Sequence, residues 1–164
     1  MSLDLQPHLQ GDLLRLRPLE PADREPLWSV ARDPLLWEQH PDKTRSEPEG
    51  FALFFDAALA SRSALTVIER SSGEVAGSTR FYDWDPERRE VAIGYTFLAR
   101  RLWGGPANAQ MKRLLLGHAF GSVERVWFHV AATNLRSRRA MEKIGALIDH
   151  HGLRPQNGQM LDFC

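Results

Sequence analysis

The residues whose types and spacing could support chemistry lie between Arg101 and Lys112, in the stretch RLWGGPANAQMK. An apolar run from Val91 to Ala99 leads into two arginines, a tryptophan, a glycine pair and a proline, followed by helix-forming residues. This order predicts a strand, a tight turn and the start of a helix. The first turn of a helix has N–H groups without intrahelical partners and carries partial positive charge. A phosphate could therefore bind here, although a glycine pair between strand and helix is also ordinary turn chemistry.

The composition limits the class of protein. A chain of 164 residues is long enough for one domain, which we expect to span residues 1–164. Its 21 basic and 21 acidic residues cancel, which argues against a nucleic-acid-coating or polybasic membrane protein. The one cysteine, Cys164, excludes an internal disulfide and a thiolate metal cluster, and no metal site is expected. With no signal region and no membrane-spanning run in the sequence, we expect a cytoplasmic protein.

Hydrophobic periodicity predicts the elements that precede the central stretch. Alternating side chains from Leu13 to Leu19 predict a first strand, and Asp23 is expected to cap a short helix. The segment 37–45 is polar and aperiodic and predicts a loop. Its Trp37 and His40 could line a pocket or pack in the core, and packing is favoured. Ser46 and Glu49 then match a capping box, and the apolar residues after them have the spacing of one helix face. Core packing of this aromatic face is favoured over a ligand wall.

Turn signals between runs of β-branched and aromatic residues predict a three-stranded antiparallel meander, at 64–69, 75–84 and 90–98. Gly94 lies inside the third strand, where a glycine suggests a bulge or the close approach of another backbone or of a ligand.

A strand and helix alternation follows the meander. After the nearly apolar helix that begins beside the glycine pair, Asn134 is expected to cap a last helix that Gly145 ends. A turn is predicted near Asn157–Gly158. The remaining segments are predicted as strands at 125–131, 147–153 and 160–164. This order predicts a mixed α/β domain with at least one parallel pair of strands.

Four segments together resemble the GCN5-related N-acetyltransferase (GNAT) superfamily, and more narrowly its branch of Rim-type ribosomal-protein N-terminal acetyltransferases. The segments are LRLRPLEPAD at 14–23, ARDPLLW at 31–37, IGYTFLARRLWG at 93–104 and NLRSRRAMEKIGA at 134–146. Their order along nearly the whole chain carries the resemblance. It implies a mostly antiparallel central sheet with a splayed parallel pair in the middle and about four flanking helices.

The resemblance implies acetyl-CoA as the cosubstrate. In the family it lies in a V-shaped opening, here between the strand holding Gly94 and the strand holding His129. The main chain at 97–99 matches the strand that pairs with the pantetheine arm, and Asn134 matches a residue that helps hold the cofactor. The resemblance thus predicts cofactor binding by Phe97, Leu98, Ala99, Arg101, Leu102, Trp103, Gly104, Gly105, Ala107 and Asn134.

The sequence departs from the family in three places. The pyrophosphate motif falls on Arg101, Gly104 and Pro106, so a proline stands where the family has a residue with an N–H. Ala92 stands where relatives commonly have an acidic residue. Relatives also continue further in the final strand, so we expect that edge to be completed by further residues or by another chain, as in a homodimer.

The reaction itself suggests catalytic residues. A neutral amine attacks the thioester carbonyl in a ternary complex, the oxyanion needs donors, and the leaving thiolate needs a proton or a hydrogen bond. Main-chain N–H groups at 94–97 are candidate oxyanion donors. Ser137 matches a position used in Rim-type relatives for a hydroxyl near the sulfur, although a helical serine can also bond to its own backbone. Glu90, Asp83 and His129 are candidate bases, each with an alternative structural role, and none stands out.

The absence of a clear base favours one class of acceptor. An α-amine with a pKa near 8 is roughly a tenth neutral at pH 7, whereas a lysine amine is neutral about once in two thousand. We therefore predict an N-terminal or small-molecule α-amine, and neither a nucleic acid nor a membrane as partner. The rival hypothesis is a non-catalytic acyl-CoA-binding or assembly module, which Ala92, Pro106 and the short final strand favour.

Overall fold

Six strands form one sheet in the order of the sequence. The computed structural model describes residues 2–156 and 159–163, and the turn predicted at Asn157–Gly158 lies outside them. The six strands are β1 (Leu9–Gln10), β2 (Leu14–Pro18), β3 (Ala64–Glu69), β4 (Val75–Asp85), β5 (Glu90–Leu98) and β6 (Arg125–Trp127). All neighbours are antiparallel except β5 and β6, which are parallel. A separate hairpin of β7 (Gly152–Gln156) and β8 (Gln159–Phe163) joins them through one bridge, from Phe163 to Ala131.

Four helices flank the sheet, as the resemblance implied. They are α1 (Arg24–Ala31), α2 (Pro48–Ser61), α3 (Ala107–Ala119) and α4 (Leu135–Lys143). The predicted mixed α/β architecture, with a mostly antiparallel sheet and one parallel pair, is confirmed. None of the helices in the described part of the chain is long and apolar enough to cross a membrane.

Two apolar clusters hold the helices against the sheet. The first packs α3 on one face, with Phe81, Ile93, Met111 and Leu115 among its buried members. The second packs α1 and α2 on the other, with Leu27, Phe51, Phe55 and Phe97 among its buried members. The predicted core role of the aromatic face of α2 is thereby confirmed.

Both N-terminal caps predicted for the first two helices are wrong. The Asp23 side chain does not cap α1. It accepts hydrogen bonds from both Nη atoms of Arg17 at 2.8 and 2.7 Å and from the hydroxyl of Thr66 at 2.7 Å. The Ser46 hydroxyl donates to a carbonyl in its own turn, and α2 begins after Glu47 without a side-chain cap. The guanidinium of Arg17 gives Asp23 two charge-assisted bonds and a full counter-charge, whereas a helix N-terminus offers only a partial charge, which explains why Asp23 binds Arg17.

Two predicted strands are shorter in the structure. The segment predicted at 125–131 pairs with β5 only as far as Trp127, apart from the bridge at Ala131. The segment predicted at 147–153 becomes a strand only at Gly152, and the side chain of Leu147 is 91% exposed. In both cases no described strand lies alongside to pair with the backbone N–H and C=O groups. Apolar alternation alone is therefore not enough to form a strand.

The bulge suggested by Gly94 is present and lies directly after it. Gly94 pairs with Arg80 and Phe97 pairs with Ser78, so two residues of β5 stand opposite one residue of β4. Gly94 also has a close neighbour, because a Cβ atom there would lie 2.9 Å from Cε1 of Tyr82. A bulge bends its strand and increases the local twist. The bend explains why β5 separates from β6 beyond their last pair, Ala92 and Trp127.

We predict that Asp23→Asn lowers the free energy of unfolding by about 2–4 kcal/mol at pH 7, because it leaves a largely buried Arg17 without its counter-charge. Burial raises the pKa of Asp23, but hydrogen bonds from Arg17, Glu20 and Thr66 lower it, and the net direction is down. The stabilisation is therefore present above the ordinary carboxyl pKa and is lost as pH falls through the lower folded-state pKa.

Urea denaturation of both proteins between pH 3 and pH 7 measures this difference. Asp56→Asn is the control, since its pair with Arg24 is exposed and is worth about 0–1 kcal/mol. A difference at Asp23 that stays constant down to pH 3 would contradict the assignment.

Candidate functional site

A cleft of about 210 Å³ opens where β5 and β6 separate. Its walls come from β4, β5, the loop before α2, the segment after β6, and helices α3 and α4. Among the lining residues are His40, Arg45, Tyr82, Tyr95, Thr96, Lys112, His129, Asn134, Ser137 and Arg154. No described lining residue is acidic.

The extra residue of the bulge shifts the alternation of β5, so that Ile93 and Phe97, four positions apart, pack on opposite faces of the sheet. Tyr95 has a φ of 52°, a left-handed value that non-glycine residues rarely adopt. Its ring lies on the α2 side, 6.4 Å from the ring of Phe54. Thr96 faces α3, where its hydroxyl lies 2.9 Å from that of Thr79 and accepts from Lys112 Nζ at 3.3 Å. The bulge thus connects the two faces of the sheet at the cleft.

Lys112 is a buried cation in the wall of the cleft. It is 3% exposed, its Nζ lies 5.3 Å from the ring centroid of Phe128, and it makes no ion pair with any described residue. Burial lowers the pKa of its amine to about 8. Sequence reasoning missed this residue, although a lysine inside a nearly apolar helix was a signal that could have found it.

His129 and Tyr82 form a hydrogen-bonded pair in the cleft, with 2.7 Å between the Tyr82 hydroxyl and His129 Nδ1. Burial raises the pKa of Tyr82, so the phenol stays protonated. Burial, and then the charge of Arg154, lower the pKa of His129, so its imidazole is neutral at pH 7. A neutral imidazole whose Nδ1 carries the proton keeps a lone pair on Nε2 that can accept another.

Ser137 and Asn134 lie together at the start of α4, and both line the cleft. The Asn134 side chain accepts from the N–H of Ser137 at 3.3 Å, which confirms the predicted cap. Gly145, at a φ of 85°, follows the helix as expected. The half-buried Ser137 is oriented by the first turn of α4, which places its side chain on the cleft wall.

The two acidic candidates are not in the cleft. Glu90 lies at the closed end of the parallel pair, where its carboxylate accepts from Arg125 Nη1 at 2.7 Å and from Trp127 Nε1 at 3.0 Å. Asp83 is 62% exposed at its side chain and lies 3.8 Å from Arg154 Nη2. Of the three candidate bases, only His129 lines the cleft.

The loop between β5 and α3 contains most of the expected cofactor residues. Gly104 has a φ of 75°, which a glycine adopts without strain. Pro106 precedes the first helical residue, Ala107, and no side chain caps this helix. The first N–H groups of α3 are therefore free of the side-chain partner that a capped helix provides. The guanidinium of Arg101 lies 2.7 Å from Glu69 Oε1, at the end of the β3–β4 hairpin.

Trp103 connects the loop to both sides of the opening. Its indole N–H donates to the carbonyl of Leu98 at 3.1 Å, and its ring lies 3.9 Å from Cζ of Arg136 in α4. Phe97 packs its side chain against Trp37 in the core, and the N–H of Ala99 donates to Ala76 of β4. Leu102 and Gly105 complete the loop, and Leu102 is packed against the apolar cluster that holds α3 on the sheet.

Sequence reasoning also missed Arg45, Tyr82 and Tyr95 as cleft residues. It considered His40 as a pocket residue but favoured packing, and His40 lines the cleft. Tyr95 stands next to Gly94, so the bulge signal pointed to its position without indicating its ring. Nothing in the local sequence distinguishes Arg45, because its burial depends on three aromatic rings brought from other segments.

Comparison with family models matches residues 14–147 to the acetyltransferase (GNAT) domain. Solved structures agree. A GCN5-related N-acetyltransferase from Brucella melitensis is 20% identical over 96% of this chain and 76% of its own, with a TM-score of 0.82. A GNAT-family acetyltransferase from Bacillus anthracis is 18% identical over 96% and 95%, with a TM-score of 0.77. Spermidine N-acetyltransferase from Vibrio cholerae, in complex with CoA and spermine, is 17% identical over 93% of both chains, with a TM-score of 0.66. A comparison with curated proteins finds no match.

We predict that Lys112→Met raises the free energy of unfolding at pH 7 by roughly 1–3 kcal/mol, because it removes the cost of burying a charge. The unfolded chain, with an ordinary lysine pKa of 10.5, binds more protons than the folded chain between about pH 8 and pH 10.5. Wild-type stability therefore rises across this window, and the advantage of the variant shrinks.

Chemical denaturation at pH 7, 8, 9 and 10 measures both effects. Lys143→Met, at an exposed position of α4, should show no such pH dependence. A variant that is less stable than wild type at pH 7 would mean that the Lys112 charge is compensated in the folded state.

Proposed function

Because this chain belongs to the GNAT acetyltransferase family, we propose that it transfers the acetyl group of acetyl-CoA to the α-amine of a peptide or small molecule. The observation that carries the proposal is the splayed parallel pair, whose cleft is lined by both Ser137 and His129. Acetyltransferases of this family use acetyl-CoA, and the spermidine N-acetyltransferase from Vibrio cholerae is in complex with CoA.

We assign the pyrophosphate of acetyl-CoA to the loop at 101–107 and the first turn of α3. The uncapped helix start and the left-handed Gly104 favour an anion there, since they leave main-chain N–H groups accessible. The pantetheine arm would run along the open side of β5, beside 97–99. The carbonyl of Leu98 already accepts from Trp103, so the N–H of Leu98 is the main-chain group we expect the arm to use. Asn134 would contribute from the opposite wall.

The proposed chemistry uses three groups around the thioester. The lone pair of a neutral amine attacks the carbonyl carbon, and an N–H of the bulge stabilises the oxyanion. The tetrahedral intermediate then collapses, the bond from carbon to sulfur breaks, and CoA leaves as a thiolate that accepts a hydrogen bond from the Ser137 hydroxyl. The amine loses its extra proton to Nε2 of His129, directly or through a water, while Nδ1 donates to Tyr82. Glu90, hydrogen-bonded at the closed end, has no role in this scheme.

The cleft favours an α-amine over a polyamine. Among the described lining residues, Arg45, Lys112 and Arg154 are positively charged at pH 7 and none is acidic. Such a cleft repels a polycation. Positive neighbours also lower the pKa of a bound amine, so more of it is neutral. A weak base such as His129 then suffices.

Four finer expectations stay predictions: a Rim-type relationship, one domain over 1–164, a cytoplasmic location and a homodimer. Sedimentation velocity of the purified protein tests the last of them.

The proposed function predicts both CoA binding and amine-dependent CoA release. At a hundred times its dissociation constant, CoA should stabilise the fold by about 2.7 kcal/mol and raise the melting temperature. Release of free thiol from acetyl-CoA should depend on an added amine, tested with dipeptides, amino acids and polyamines. CoA binding without turnover on any amine would instead support the non-catalytic acyl-CoA-binding module.

We predict that Ser137→Ala lowers kcat by about tenfold or more with little change in CoA affinity, because a bond to the departing thiolate strengthens only in the transition state. Steady-state kinetics measure kcat, and calorimetric titration with CoA measures its affinity. Ser29→Ala is the matched control, since Ser29 is an exposed helical serine that donates to Glu25 in its own helix. Equal kcat in Ser137→Ala and wild type would remove Ser137 from the scheme.

A further inference from the structure

Three cations line the cleft, and no described lining residue is acidic. They are Arg45, Lys112 and Arg154, and each of the two arginines has an ion pair with one carboxylate outside the lining. Asp42 Oδ2 lies 3.5 Å from Nε of Arg45, and Asp83 Oδ2 lies 3.8 Å from Nη2 of Arg154. The described part of the cleft therefore carries net positive charge.

Arg45 is the most deeply buried of these cations. It is 6% exposed, and its Nε has no hydrogen-bond partner among the described residues. Its Cζ lies 4.6 Å from the ring centroid of Phe54 and 5.5 Å from that of Trp37. Burial lowers the pKa of this guanidinium to about 10, because the folded protein solvates its charge less well than water does. A buried, incompletely bonded guanidinium gains strongly from an anion that enters beside it.

The strained residue of the bulge holds this arrangement in place. The ring of Tyr95 is close to two guanidinium groups, with its centroid 3.5 Å from Cζ of Arg80 and 5.7 Å from Cζ of Arg45. Nε of Arg80 also has no hydrogen-bond partner among the described residues. Left-handed backbone at a tyrosine persists only where the surroundings enforce it, and such strain concentrates at ligand sites.

This cluster is separate from the site proposed for the phosphates of CoA. Arg45 lies in the short turn before α2, and Tyr95 turns towards α2, whereas the loop at 101–107 leads into α3 on the other face of the sheet. An anion beside Arg45 would therefore belong to the acceptor.

Resting on the proposed function, we propose that Arg45 binds an acidic group of the acceptor, so that the acceptor is a small amine that also carries a carboxylate or a phosphate. The planar fork of an arginine matches a carboxylate in two parallel hydrogen bonds. The cleft volume, about 210 Å³, is below the roughly 300–1,000 Å³ of pockets for drug-sized ligands. Its size favours an acceptor comparable to a single amino acid.

The arrangement also serves the chemistry. The acidic group neutralises one cation of the cleft, while the remaining positive charges disfavour the ammonium form of the acceptor. The same residues thus select the substrate and increase the fraction that can attack.

The test compares acids with their uncharged amides by binding and by turnover. N-acetyl amino acids and the matching N-acetyl amino acid amides are titrated calorimetrically into the protein, with and without CoA, which requires no catalysis. The free amino acids and their amides, and phosphoethanolamine against ethanolamine, are assayed for CoA release. We expect the acids to bind and react about ten to a hundred times better than their neutral partners, the range that a charge-assisted hydrogen bond supplies. The phosphate pair tells which acidic group the site prefers.

Variants of Arg45 assign the preference to that residue. Arg45→Gln should bring binding of the acids down to the level of their amides in the same variant, and Arg45→Lys should give an intermediate preference. Arg32→Gln is the matched control, because Arg32 also stacks on an indole, at 5.8 Å from Trp28, but does not line the cleft. If neither Arg45 variant folds, the wild-type comparison of acids and amides still tests the anion site of the cleft, and the absence of a preference for acids overturns the inference.

Equal binding of acids and amides to wild type would overturn the inference, whatever the turnover. Turnover of amines without an acidic group as fast as that of the acids would also overturn the inference, but the proposed acetyl transfer would remain supported. Preferential binding of acids without turnover of any amine would support the anion site and count against the proposed function.

Discussion

The extra residue in β5 between Gly94 and Phe97 is the constraint on which the cleft depends. Two parallel strands remain paired only while their backbones stay aligned, and the bulge bends β5 away after Ala92. The backbone conformation of Tyr95 costs on the order of 1–3 kcal/mol. Apolar clusters on both faces of the sheet, which include Ile93 and Phe97 on either side of the bulge, hold it in place.

Packing and charge meet at this bulge. The two side chains of the bulge contact two buried cations: Thr96 contacts Lys112, and Tyr95 contacts Arg45. Neither cation has the close, fully bonded carboxylate that Arg17 has in Asp23. Arg17 is fully compensated, whereas Lys112 and Arg45 are not. The electrostatic strain of the fold is therefore concentrated at the cleft. We connect that strain with the binding of anionic and amine ligands.

The cleft also depends on contacts between elements that are distant in sequence. Arg136 of α4 lies over Trp103 and donates to the carbonyl of Leu36, so the last helix, the loop before α3 and the turn after α1 are held together. Tyr82 of β4 orients His129 beyond β6. Each functional side chain is therefore positioned by a partner from another part of the chain.

The sequence by itself determined the elements whose patterns are local. The meander, the helix that Asn134 caps and Gly145 ends, and the bulge beside Gly94 could all be predicted, because periodicity, capping and turn chemistry act over a few residues. The motif resemblance added the family and the place of Ser137 and His129, which both line the cleft. Only the tertiary structure decided which polar groups meet. Asp23 bonds to Arg17 and Thr66 and not to its helix, Glu90 is held at the closed end, and Arg45 and Lys112 become buried, because burial depends on segments far away in the sequence.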